Sequence, residues 1–261
     1  MFCIIHITST ILRKAFINAL LRKDQEEKSI KFINQNGTFY SMVVIANSPQ
    51  WFLGVDSALE ILFFFIALGI ALFSMKIYRY TSRKRFLFFH LAFLFMAVSF
   101  LVRSVTNLFI YYQIKKDISV ATKLAAVSNI YDMGFLIHIL LMLTAYMILI
   151  ALSLELRDIR VITLLFLMVI LAAVIATNTY TVYYVISVIL LAYIVNHFRE
   201  NAKKLGTKTS KAVFAAFSLL LLSQGVFLFV HMHPYMYLLG HLFQAMAYGM
   251  LFIVFILVRR L

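Results

Sequence analysis

The sequence predicts an all-α, polytopic membrane protein: a bundle of seven transmembrane helices with the N-terminus outside and the C-terminus inside. Three observations predict it. Of 261 residues 64% are hydrophobic and 13% charged, against about 45–50% and about 25% in ordinary soluble domains, which leaves too little polar surface to cover a water-soluble globule. Seven apolar runs have the length of a membrane span, roughly 17–25 residues for a hydrocarbon core ~30 Å thick. The basic residues between those runs collect on alternate sides. The same composition excludes a disordered chain, and the single cysteine, Cys3, excludes a disulfide scaffold.

The membrane domain occupies residues 51–261, with spans at about 52–75, 87–112, 129–152, 161–177, 180–197, 212–231 and 236–258. Only Asn178-Thr179 separates the fourth from the fifth, which predicts a tight helical hairpin. The alternative, one long bent helix, would put Arg160 and Arg199 on opposite sides and invert everything after it. Trp51, Tyr78, Tyr80, Tyr111, Tyr112, Tyr131, Tyr180, Tyr235 and Tyr237 stand near span ends, where amphipathic rings favour the headgroup level. The longest loop is expected at His197–Lys211, with Gly206 as its breaker.

Orientation follows from the loops. One side holds Lys76, Arg79, Arg83, Lys84 and Arg85, then Arg157 and Arg160. It continues with Arg199, Lys203, Lys204, Lys208 and Lys211, and ends with Arg259-Arg260, fourteen bases in all. The other side has Lys115, Lys116 and Lys123. The positive-inside rule makes the fourteen-base side cytoplasmic in the plasma membrane. The formal charge of +14 is then a topology signal facing an anionic inner leaflet. No nucleic-acid partner is expected.

Residues 1–50 fit this topology poorly. They carry Arg13, Lys14, Arg22, Lys23, Lys28 and Lys31 against three acids, yet fall outside. No signal peptide is legible there. Either translation begins at Met42, or the leader forms an interfacial amphipathic helix.

The polar residues inside the spans single out one layer. Asp56 and Glu60 lie four apart on one helix face. At ~1.5 Å per residue, Glu60, Arg103 and His138 each sit about 12–13 Å below the outer ends of their spans. Asn107 follows Arg103 at i+4, and Gln224, His241 and Gln244 fall at about 8–14 Å by the same rise. Ionisable groups in spans are costly and mark interior faces or functional sites. The layer is expected to form a polar, outward-facing cavity with a Glu60–Arg103 pair near its floor. The competing reading is a helix lock, since buried ion pairs often do no more than join helices.

His138, His231, His233 and His241 are candidate metal ligands, and His138 with His241 are candidate axial ligands for haem b. Neither a metal nor a haem is expected, because isolated membrane histidines more often serve as hydrogen-bonded glue between helices. Retinal is excluded: span seven, Met236–Val258, contains no lysine for a Schiff base. No HExxH, Gly-x-Ser-x-Gly or Walker A motif occurs, so no catalytic residue and no enzyme are expected. Alternating-access transport favours Pro- or Gly-broken spans, and no span here has an internal proline.

The segments Val55-Asp56-Ser57-Ala58-Leu59-Glu60, Lys76-Ile77-Tyr78-Arg79 and Gly240-His241-Leu242-Phe243-Gln244 together resemble a group of small archaeal seven-helix membrane proteins. The resemblance covers residues 50–258 and excludes the leader. It implies an acid-bearing first helix and a Gly-His-x-x-Gln last helix, with no activity to carry over. Two function classes stand. One is a sensor or receptor-like module that takes a small ligand, ion or proton in the outer cavity and signals to a separate cytoplasmic or membrane partner. The other is a haem- or metal-binding redox protein, or a small proton or solute transporter.

Overall fold

A computed structural model describes residues 52–115, 120–154, 159–176, 178–230, 232–233 and 235–259. Among them all regular structure is helical. The helices are α1 (Phe52–Thr81), α2 (Lys84–Lys115), α3 (Val120–Ser153), α4 (Ile159–Ile175), α5 (Thr179–Leu205), α6 (Lys208–Phe227) and α7 (Tyr235–Arg259). All but α4 are long and apolar enough to cross a membrane. The leader, with Met42, Trp51 and the interfacial-helix reading, lies outside the described residues.

Most of the helices overrun the apolar runs that announced them, α3 by nine residues at its start and α5 by eight at its basic end. Residues 198–205 continue α5 instead of forming a loop. Apolar composition marks where hydrocarbon ends, whereas Arg, Glu, Ala and Lys extend a helix readily into the polar zone. The expected long loop therefore shrinks to Gly206 and Thr207. Gly206 takes the left-handed conformation, φ 64°, and its N–H donates to Ala202 O to close the helix. The side chain of Thr207 caps α6 by accepting from Ser210 N. Ser82, at φ 52°, likewise reverses the chain within two residues between α1 and α2. At the predicted hairpin Asn178 Oδ1 accepts from Thr181 N at 3.1 Å, capping α5. In the other direction, α6 stops at Phe227, short of His231; turns occupy 228–230 ahead of Pro234.

Contacts between helices define a ring. Successive helices α1–α2, α2–α3, α5–α6 and α6–α7 pack against each other, α3 packs on α5, and α7 returns to α1. Residue pairings give the directions. His90 meets Ala71 and Asn107 meets Asp56, so α1 and α2 are antiparallel. Phe135 and His138 meet Tyr180 and Tyr183, so α3 and α5 run parallel. Phe63 stacks on Tyr248 and Phe73 packs edge-on to Phe255, so α1 and α7 run parallel too. Six helices thus close a ring, and α4 packs against α3 and α5 from outside. Its Leu164, Met168, Val174 and Ile175 are more than half exposed, and among its residues of described burial only Ala173 is buried.

Inside the ring small residues let backbones approach. Ala67 and Ala71 face Ala92 and Ala97 from α2, with Ala145 on α3 and Ala247 on α7, all fully buried. Aromatics fill the centre: Phe63 and Phe100 enclose Tyr248, with ring centroids 5.0 and 5.2 Å away. The outer surface is largely apolar, as a lipid-facing surface requires, with Leu62, Phe65, Leu72, Met133 and Ile189 standing out from it.

Candidate functional site

Toward the Phe52 end of the ring the in-span polar residues meet. Arg103 Nε lies 2.6 Å from Glu60 Oε1, so the pair expected from the sequence is a direct contact. Asn107 Nδ2 donates to both carboxylates of α1, to Asp56 Oδ2 at 3.1 Å and Glu60 Oε2 at 3.2 Å. The i+4 spacings of Asp56 with Glu60 and of Arg103 with Asn107 turn both pairs onto the shared α1–α2 face. From α7, Tyr237 Oη donates to Asp56 Oδ2 at 2.6 Å and His241 Nε2 lies 3.1 Å from Asp56 Oδ1. One turn of helix separates these two residues.

The chain continues to α3. Arg103 Nη1 donates to His138 Nε2 at 3.4 Å. A guanidinium has no acceptor, so Nε2 carries a lone pair and the imidazole proton sits on Nδ1. Nδ1 lies 2.7 Å from Ser99 Oγ, to which it donates, while that hydroxyl donates to His138 O at 3.0 Å. Ser99 therefore sets both the tautomer and the tilt of the ring, and His138 is neutral in this arrangement.

This is a closed layer rather than an open cavity. Asp56, Glu60, His138 and His241 are 1–4% exposed. The expected cavity lining is instead packed side chain to side chain, because two carboxylates and their donors satisfy one another better across a helix contact than across water-sized gaps. Gln224 is buried on α6, with no hydrogen bond to Oε1 among the described residues. Gln244, one turn on from His241, is buried and joins none of these bonds.

The layer also contains residues that the sequence reading assigned elsewhere. Tyr131, Tyr180 and Tyr237 were expected at the membrane interface; all three are buried in the ring. Tyr180 Oη donates to Phe227 O, the carbonyl that also accepts from Val230 N where α6 ends. Spacing held a clue to Tyr237, which stands four before His241, as Ser99 stands four before Arg103. A tyrosine or serine in a span is too common for either to stand out. Below the layer, the hydroxyls of Tyr146 and Tyr248 are buried without a hydrogen-bond partner among the described residues, while Tyr184 reaches Arg103 and Tyr180.

The metal candidates separate. His138 and His241 approach the ion pair from opposite sides, through Arg103 and Asp56 respectively. His233 is exposed beside Tyr235, and His231 lies outside the described residues. Among the described residues no three His, Cys, Asp or Glu side chains group to hold a metal. A pair of axial haem ligands would need the space between the two rings that Arg103, Glu60 and Asp56 fill.

Comparison with protein-family models, curated proteins and solved structures found no match to this chain.

Proposed function

We propose that this is a seven-span protein of the plasma membrane, N-terminus outside and C-terminus inside, working as a sensor-like module whose buried polar layer holds an exchangeable proton. A charge count carries the reading. Asp56 and Glu60 face one guanidinium, Arg103, and the hydrogen bonds make His138 neutral. A buried net charge is strongly disfavoured. One further proton therefore completes the layer, and the His241–Asp56 couple is the place to take it. With that proton, two ion pairs clamp α1 to α2 and to α7; without it, a buried carboxylate loses its partner and the α1–α7 contact loosens. A separate cytoplasmic or membrane partner on the basic side would read that movement.

The other groups surrounding the couple are Glu60 on α1, Arg103 on α2 and Tyr131 on α3, with His138 reached only through Arg103. Tyr184 from α5 and Tyr237 from α7 complete the surroundings, and α6 brings the Phe227 ring. The basic loops support the orientation, and the parallel packing of α3 and α5 supports α4 as a seventh crossing. The motif likeness to archaeal seven-helix proteins is part of the proposal as well, and its first and last segments supply Asp56, Glu60 and His241.

The test uses full-length protein in lipid nanodiscs, Cys3→Ser, with a fluorophore at Lys208→Cys. A single-proton transition in fluorescence is expected as the pH is lowered, the proton entering at the His241–Asp56 couple. His241→Asn and Asp56→Asn should each abolish it in folded protein. A transition unchanged in both variants, or none in the folded parent, would overturn the reading.

A further inference from the structure

At the opposite end of the ring, independent of the polar layer, lies a cavity of about 620 Å³ bounded by all six ring helices. That is within the range of roughly 300–1,000 Å³ typical of ligand pockets. Its walls are apolar and largely aromatic. Phe73 packs edge-on to Phe255 at 4.9 Å, Phe198 stacks on Phe217 at 4.6 Å, and Phe89 leans on Phe93 at 4.7 Å. Its mouth is basic. Arg83 and Arg85 flank it from the α1–α2 turn, and Lys204 stands on the last turn of α5. Asn201 donates to His197 Nε2 at 2.9 Å beside it. None of the described lining residues is acidic.

We propose that this cavity binds one anionic phospholipid from the leaflet on the basic side, with an acyl chain among the phenylalanines and the phosphate-bearing head between Arg83, Arg85 and Lys204. The order of the surfaces argues for it. A free inorganic anion would use the mouth and leave the aromatic shaft unfilled. A neutral hydrocarbon would fill the shaft and make no use of the basic mouth. An anionic amphiphile matches both, and basic pockets between membrane helices are known sites for phosphorylated headgroups. The site faces the anionic leaflet if the bundle is oriented by its basic loops. Occupation would brace α1, α2 and α5 against each other where the helices project furthest.

The experiment takes delipidated full-length protein in a neutral detergent and measures retention by native mass spectrometry. The probes are dioleoyl phosphatidylglycerol, dioleoyl phosphatidylcholine and inorganic phosphate. One phosphatidylglycerol per chain is expected, about tenfold tighter than phosphatidylcholine, from three bases at the mouth. The triple variant Arg83→Gln, Arg85→Gln, Lys204→Gln changes only exposed positions and should erase that preference. Val213→Trp, which fills the shaft, should lose both lipids. Equal retention of the two lipids by the parent, an unchanged preference in the triple variant, or phosphate competing as well as phosphatidylglycerol would each overturn the proposal. If Val213→Trp does not fold, the triple variant decides alone.

Discussion

Arg103 is the residue on which the polar layer turns. It touches Glu60 through Nε and His138 through Nη1, and so ties α2 to α1 and α3 at once. Removing one member of a buried pair costs about 3–5 kcal/mol, because the survivor keeps its desolvation penalty without its partner. Glu60→Gln and Arg103→Met should each destabilise on that scale. The double variant should be less destabilised than the sum of the two by about 0.5–3 kcal/mol. Unfolding by sodium dodecyl sulfate in mixed micelles measures it, and additive losses would mean that the pair contributes nothing as a pair. The charged members of this layer were legible in the sequence because a charge within an apolar run has no cheap alternative explanation. Tyr237 and Ser99 were not. A tyrosine near a span end fits the interface equally well, and only the return of α7 onto α1 brings its hydroxyl to Asp56.

Among the elements, α7 shows how close packing limits change. A Cβ on Gly240 would sit 2.6 Å from the Phe227 ring, which is buried between Tyr184, Tyr237 and His241. A Cβ on Gly249, two and a half turns further along the same helix, would meet nothing within 4 Å. Gly240→Ala should therefore cost about 1–3 kcal/mol through overpacking. Gly249→Ala should be neutral or stabilising by up to about 1 kcal/mol, from helix propensity alone. Thermal unfolding of the two variants side by side checks this; equal effects would remove the Phe227 contact as the cause. Gly240 also leaves its carbonyl to Ser223 Oγ at 2.9 Å, a second reason for the α6–α7 contact to be tight here. Element type was readable along the described apolar segments, but element ends were not. Hydropathy falls where lipid ends, while α5 runs on through Arg199 and Lys204 until Gly206 stops it.

For the whole molecule the decisive relation is the parallel packing of α3 and α5. It requires the chain to return from one end of the ring to the other between Ser153 and Thr179, and α4 is the element that does so. At 17 residues it rises only about 25 Å, less than a typical hydrocarbon core of ~30 Å. Single cysteines at Arg160 and Thr179, in a Cys3→Ser background, should label from opposite sides of sealed vesicles with an impermeant maleimide. Labelling from the same side would remove α4 as a crossing.

The sequence by itself determined a helical chain with membrane-length apolar segments and the charges that run against them. Both are local properties: hydrocarbon rejects unsatisfied backbone and unpaired charge wherever they occur along the chain. Only the tertiary structure decided which helices form the ring, that α4 stays outside it, and that the polar layer is closed. It also decided that the basic end opens into an aromatic shaft. Those features depend on which faces meet, and seven helices of nearly uniform apolarity carry little amphipathic pattern from which their neighbours can be read.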